Sequence, residues 1–490
     1  MKPVGTFCLV LHTHLPWVAH QGSWPVGEEW LHQAFTGSWR RVLAVLDRLA
    51  EHGHRGVLTL GVTPVVAAML DDPYCLAELH GWAGRWQLRA VALAARPELA
   101  ELAGYEYRAA TRCLADLEAR WLTGGLSGVL RPLLDGGVIE LLSGPATHPF
   151  QPLLTERFAA AQLQLGLTDT RLRTGHNVGG IWAPECGYAP GMAGFYERHG
   201  VTHFLLDGPG LRGETGLARP AEDTGVLAFG RDLPLSERIW SSRTGYPGGT
   251  AYRDFHTFDH SSGFRPARVT GTDQKRPWQP AAAAAAVLRD ARDFVAAVRD
   301  RLLAVRAQLG RPGLAVAAFD TELFGHWWYE GPQFLDAVLR LLPAAGVRVS
   351  TLSAAAAAGL VGAPVELPAS SWGAGKDWRL WNNDQLAELN AGLAEMQKRL
   401  FNIVDRIGPT PARRPELDQL TREALLASSS DWAFMISRDS AADYGWQRSG
   451  QHLARFTALA EAIEHGGGHR LAAQLRCGDG PFGHLDGRLI

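Results

Sequence analysis

LAVAAFDTE, residues 314–322, is six apolar residues followed directly by an acid, a hydroxyl and a second acid. A short run that is apolar at consecutive positions fits a strand buried on both faces, and such strands belong to parallel sheets covered by helices. The same pattern recurs in TFCLVLHTH (6–14), GVLTLGVTP (56–64), VIELLSGPATHP (138–149), GGIWAPECGY (179–188), THFLLDGPG (202–210) and, more weakly, VRVSTLS (347–353). Helix-like stretches lie between them, at roughly 28–52, 156–175, 280–309 and 332–344. Around seven strands in this rhythm predict an α/β fold, a closed or nearly closed β/α barrel. An open doubly wound sheet is the alternative, but no GxGxxG follows the first strand and no Walker loop occurs.

Two regions depart from the rhythm. Residues 71–128 read as helical and predict an insert packed beside the barrel. From about residue 366 a tryptophan-rich loop, LPASSWGAGKDWRLWNND (367–384), gives way to helical sequence up to about residue 464. The expected division is a catalytic barrel over 1–365 and a helical domain over 366–490, whose tryptophan-rich loop contributes to the cleft. The last two dozen residues, GGGHRLAAQLRCGDGPFGHLDGRLI, cluster glycine and are expected to be partly loose.

Composition narrows the function. A net charge of -2 over 490 residues, with no lysine- or arginine-rich run, argues against nucleic acid as a partner. Five scattered cysteines (Cys8, Cys75, Cys113, Cys186, Cys477) without CxxC spacing read as reduced thiols, not a disulfide framework or zinc site. No signal-type segment and no apolar stretch of bilayer length stands out, so no membrane partner is expected and the expected location is cytoplasmic. Seventeen tryptophans, many beside glycine, proline or charge, exceed the needs of a core and suit flat platforms for sugar rings or bases.

A parallel barrel forms its site at the carboxyl ends of its strands. At that edge the runs carry His12 and His14, then His148, then Glu185, and finally Asp320. Two carboxylates across an aromatic cleft suit glycoside chemistry, one protonating the leaving oxygen and the other stabilising or capturing the oxocarbenium-like centre. Taken alone, Asp320 also fits a helix N-cap, and Cys186 fits a buried structural thiol better than a nucleophile. The rival chemistry is a metal-dependent hydrolase built on His12, His14 and Asp320. Against it stand Glu185 at the fourth strand end and His203 at the start of its strand. A catalytically dead glucan-binding protein is the non-enzymatic alternative, which the presence of both carboxylates opposes.

HTHLPW (12–17), GPATHPF (144–150), WAPECGY (182–188), FDTELFGHWW (319–328) and SSDWAF (429–434) occur in the order found in glycoside hydrolase family 57. Over about residues 6–450 the chain resembles that family, most closely its α-1,4-glucan branching enzymes. The resemblance implies a (β/α)7 barrel with a C-terminal helical domain, and a retaining double displacement without metal or cofactor. Glu185 would be the nucleophile and Asp320 the general acid/base. His12, His14 and His148 would line the donor subsite, with Trp17, Trp182 and Phe324 nearby, and SSDWAF would bring Asp431 and Trp432. An α-1,4-glucan would be both donor and acceptor, bound by a monomer or homodimer.

The family also includes α-amylases and 4-α-glucanotransferases, which remain alternatives. Branching is favoured by SERIWSSRTGYPGGTAYRDF (236–255), which resembles a flexible loop and carries Tyr246, and by GSWPVGEEW (22–30) and SSWGAGKDWRLW (370–381). A transferase must hold an acceptor and keep water from the glycosyl-enzyme. Trp24, Trp30, Trp278, Trp372 and Trp381 are expected to wall the site for that purpose, joined by His326 and one of Trp327 and Trp328. After RLWNNDQ no second tryptophan-rich stretch follows, a departure that bears on the acceptor side.

Overall fold

The computed structural model describes residues 3–23, 26–241 and 243–490. Trp24, expected in the wall, lies outside them. Seven parallel strands form the ring: β1 (Gly5–Thr13), β2 (Leu58–Val62), β3 (Ile139–Leu142), β4 (Gly180–Ile181), β5 (His203–Leu206), β6 (Leu227–Gly230) and β7 (Leu314–Asp320). Hydrogen-bonded neighbours run β7-β1-β2-β3 and β4-β5-β6. The two arcs join where Ser143 and Trp182 bond across β3 and β4, Trp182 N to Ser143 O at 2.8 Å. They meet again where Asp232 N, just beyond β6, donates to Val316 O of β7 at 2.7 Å.

The ring has the expected number of strands but not the expected membership. β6 is LAFG, four residues that end in glycine, too short to stand out as an apolar run. VRVSTLS instead yields β8 (Val347–Val349), which pairs only with Gly5–Phe7 at the start of β1. Its middle residue is exposed, as expected for a strand outside the ring.

Strand periodicity sorts the side chains. Cys8 and Val10 of β1 and Leu314, Val316 and Ala318 of β7 point inward, packing with Trp182, Leu205 and Phe229. Phe7, Leu9, Leu11, Ala315, Ala317 and Phe319 point outward to the covering helices. These helices include α1 (Arg40–Glu51), α5 (Glu156–Thr174), α6 (Pro280–Leu309) and α7 (Gly331–Leu341). The next inward positions at the top of β1 and β7 are therefore His12 and Asp320, which face each other in register.

Between β2 and β3 stand α2 (Pro73–Leu93), α3 (Ala100–Asp116) and α4 (Leu122–Asp135), the predicted helical segment. A buried ion pair, Arg253 with Glu106 of α3, ties these helices to the 243–279 segment. After the barrel come α8 (Ala387–Ile407), α9 (Pro415–Ala427), α10 (Ser430–Ser437) and α11 (Ala442–Glu464). α9 is buried from Glu416 to its end, polar residues included. Its Arg422 donates to the carbonyl of Pro481 at 2.6 Å, and Phe482 and Leu485 are buried beside it. The glycine-rich tail is thus packed rather than loose, because its carbonyls satisfy a buried guanidinium. Among the described residues no helix is long and apolar enough to cross a membrane.

Candidate active site

Glu185 follows β4 in a tight turn with φ 61, a left-handed conformation that costs a non-glycine residue about 1–2 kcal/mol. His148, after β3, adopts φ 56. Strained side-chain-bearing residues at two strand ends mark a place where the surroundings dictate the backbone. Glu185 is 9% exposed, and its carboxylate is met on both oxygens. Ser430 Oγ donates to Oε1 at 2.7 Å and Trp372 Nε1 donates to Oε2 at 2.9 Å.

Behind Glu185 the three histidines form one group. His148 Nδ1 lies 3.0 Å from Ser430 Oγ, and its Nε2 lies 3.1 Å from His12 Nε2. His14 stacks on His148 with ring centroids 3.8 Å apart, and His12 stacks on Trp182 at 4.2 Å, nearly coplanar. His14 Nε2 bonds Asp431 Oδ2 at 2.8 Å and its Nδ1 bonds Thr63 at 3.0 Å. Residues as far apart in the chain as His12 and Asp431 thereby meet at one rim.

Burial sets the protonation states. It pushes His12 and His148 well below the usual histidine range, helped by their histidine neighbours, so both are neutral at neutral pH. It pushes Glu185 up to about 7 against the two donors, and Asp320 up to about 6 against His14 and Arg231. Burial also opposes ionisation of Asp431, but the charge and hydrogen bond of His14 bring that carboxyl down to about 2. Glu185 and Asp320 therefore titrate close together, and what each touches decides which holds the proton. Among the described residues, Glu185 has donors on both oxygens and the Asp320 carboxylate has none. The two donors stabilise the Glu185 anion, but burial outweighs them there, so the pair shares one proton between about pH 6 and 7.

His14, His148 and Asp431 offer ligand atoms within 4.8 Å of one another. Their nitrogens are committed to Asp431, Thr63, Ser430 and His12, so the cluster is a hydrogen-bonded one. The trio envisaged for a metal-dependent hydrolase, His12, His14 and Asp320, is not the one brought together. Cys186 is buried and its thiol is pushed well up by burial, which leaves it unreactive.

The aromatic wall is smaller than expected. Trp17 is buried, donates to Gly478 O at 3.0 Å and packs in the main core. Trp278 is held by Glu330, Trp381 stacks face to face on Phe150, Trp432 donates to Leu426 O, and Phe324 and Trp328 are core residues. None of these offers an open face to a sugar. Trp182 serves as the floor under His12. Trp372, Trp30 and Trp327 remain partly open, and Trp327, at 49% exposure, packs 4.5 Å from Phe255 with His326 alongside. Tyr246 is docked against Phe294 and Phe334 and bonded to Asp293, not placed at a free loop tip. Glu322 accepts from Trp39, a supporting contact behind Asp320. Reasoning from the sequence missed Ser430 and the Arg231–Asp207–Lys376 set under Trp372. Only the SSDWAF motif offered a signal for the former.

A seven-stranded barrel with two buried acids beside a histidine cluster defines an enzyme of the glycoside-processing kind. The family model for Glycosyl hydrolase family 57 matches residues 8–362, and that for "1,4-alpha-glucan branching enzyme, C-terminal" matches 392–489. A "Probable 1,4-alpha-glucan branching enzyme" of Mycobacterium tuberculosis is 50% identical over 517 residues, covering 99% of this chain and 98% of that one. The crystal structure of a GH57-type branching enzyme from Pyrococcus horikoshii superposes with TM-score 0.94 at 29% identity, covering 99% of this chain and 96% of the other. An α-amylase from Thermotoga maritima gives TM-score 0.88 at 26% identity, covering 100% and 99%. The chain belongs to glycosyl hydrolase family 57.

Proposed function

We propose that the chain is a retaining 1,4-α-glucan branching enzyme. The observation that carries the reading is the direct bond from Ser430 to Glu185. It joins the segment matched by the branching-enzyme C-terminal model to the candidate nucleophile of the barrel. In the first step the Glu185 carboxylate bonds the anomeric carbon as the α-1,4 C–O bond breaks, and Asp320 gives its proton to the departing 4-oxygen. In the second, Asp320 takes the proton from an acceptor 6-hydroxyl, whose oxygen displaces Glu185 and leaves an α-1,6 link. His12, His14 and His148 line the donor sugar, and Trp372, Trp30 and Trp327 are the faces left for glucan stacking.

The catalytic barrel then corresponds to residues 1–365 and the helical domain to 366–490. The setting we infer is cytoplasmic glycogen or related α-glucan synthesis. Hydrolysis is the second reading, favoured by the similarity to the Thermotoga amylase. Incubation with amylose separates the two: branching lowers iodine absorbance with few new reducing ends, and isoamylase then releases short chains. A rise of reducing ends in step with the loss of iodine colour would overturn branching.

A further inference from the structure

The bonds around Ser430 have a direction. A serine hydroxyl has one proton, and a carboxylate has none, so Ser430 donates to Glu185 and its oxygen must accept from His148 Nδ1–H. His148 Nε2 is then a bare acceptor, which His12 Nε2–H fills at 3.1 Å. The proton on His12 is thereby placed on Nε2, leaving Nδ1 without one. Among the described residues His12 Nδ1 is buried without a hydrogen-bond partner, so nothing there calls for a proton on that nitrogen. A fourth bond, Ser430 N to His148 O at 3.0 Å, fixes the serine's backbone to the same strained loop.

We propose that Ser430, carried by α10 from outside the barrel, is the positioning residue for Glu185, and that the His12–His148–Ser430 chain fixes its single donated proton on the nucleophile. The proposal rests on the assignment of Glu185 as the nucleophile. Other ionisable groups around Glu185 are His148, 3.9 Å from Oε1, His14, Asp431, Asp320 and Cys186, with Arg231 and Lys376 on the side of Trp372. None of them replaces the hydroxyl on Oε1. Trp372 holds only Oε2, so without Ser430 the carboxylate pivots about one anchor and presents its attacking oxygen in more than one orientation.

The test uses the full chain with amylose. Ser430→Ala and Ser430→Cys are expected to lower kcat roughly 10- to 100-fold with KM within about two-fold of wild type, the loss of one hydrogen bond to a charged group. The acid limb of kcat/KM should move up by about one unit, because the lost bond favoured the anion. Ser430→Thr, which keeps the hydroxyl, should restore both. A folded Ala or Cys variant with the wild-type kcat and acid limb would overturn the proposal. If wild type yields reducing ends and no α-1,6 links while both variants still shift kcat and the limb, the branching reading falls and the positioning role stands.

Discussion

Replacing Glu185 by glutamine separates activity from stability, and the structure gives the sign of each. The unfolded carboxyl titrates near its ordinary value of 4.5 and the folded one near 7, raised by burial. Between these values the folded chain holds a proton that the unfolded chain has lost, so stability declines as pH rises through the window. At about 1.4 kcal/mol per pH unit, the ionised form costs about 3 kcal/mol above pH 7. Glutamine removes that cost and keeps both the side-chain volume and the left-handed backbone. Its amide accepts from only one of Ser430 and Trp372, which offsets about 1 kcal/mol. Glu185→Gln should therefore be about 2 kcal/mol more stable than wild type at pH 8, a rise of a few degrees in Tm for a chain of this size. The difference should vanish and then reverse slightly below about pH 4, where the wild-type carboxyl is protonated in both states in most molecules. Branching, followed by iodine absorbance, should fall by roughly 10⁴-fold or more with the nucleophile gone. A variant that still branches would refute the assignment. A Tm below wild type at pH 8, or an offset independent of pH, would refute the electrostatic reasoning.

The two acids, titrating near 7 and 6, should give a bell-shaped kcat/KM centred at about pH 6.5, and Asp320→Asn should remove the limb that depends on the acid/base together with at least about 100-fold in rate. Asp431 is held at about 2 by His14, so its contribution is complete above its ordinary 3.8 and lost as pH falls through 2. Asp431→Asn should cost about 2 kcal/mol at pH 7 in urea unfolding, with the gap narrowing as pH falls from 4 towards 3. Gly166 on α5 faces the GPATHPF loop so closely that an added Cβ would sit 2.0 Å from Gly144 O. Gly166→Ala should lose several kcal/mol, or soluble expression altogether, because a backbone carbonyl cannot give way as a side chain does.

The barrel was legible because its physics is local. A strand buried on both faces must be apolar at every position, and LAVAAF and TFCLVL could be little else. Where that condition weakens, so does the reading. β6 is four residues long and ends in glycine, and β8 carries an exposed arginine between two valines, so the apolar pattern points to the short outer strand instead of the ring member. The tryptophans failed for a different reason. Sequence shows that an indole is flanked by glycine or charge, but its N–H needs one acceptor, and Gly478 O, Glu330 and Leu426 O supplied buried ones to Trp17, Trp278 and Trp432. An indole so satisfied is as much at home in the core as a phenylalanine.

The paired acids were legible because strand ends in a barrel converge, and His12 opposite Asp320 in register is the direct consequence. What converges from outside the barrel has no such rule, and Ser430 reaches Glu185 across 245 residues. Its importance follows from the electrostatics of the rim. Burial keeps His12 and His148 neutral, and His14 bonds Asp431 directly. Neither His12 nor His148 then adds a charge of its own to the field at Glu185. A proposed nucleophile in such a site gains from a fixed orientation, since neither Asp431 nor Asp320 can stand in for an oxygen pointing the wrong way. The strained backbones at Glu185 and His148 are held by the same serine, one through its hydroxyl and the other through hydroxyl and amide together. On the proposed assignment of Glu185 the helical region is part of the catalytic geometry, for without α10 both turns would lose the contact that opposes their relaxation.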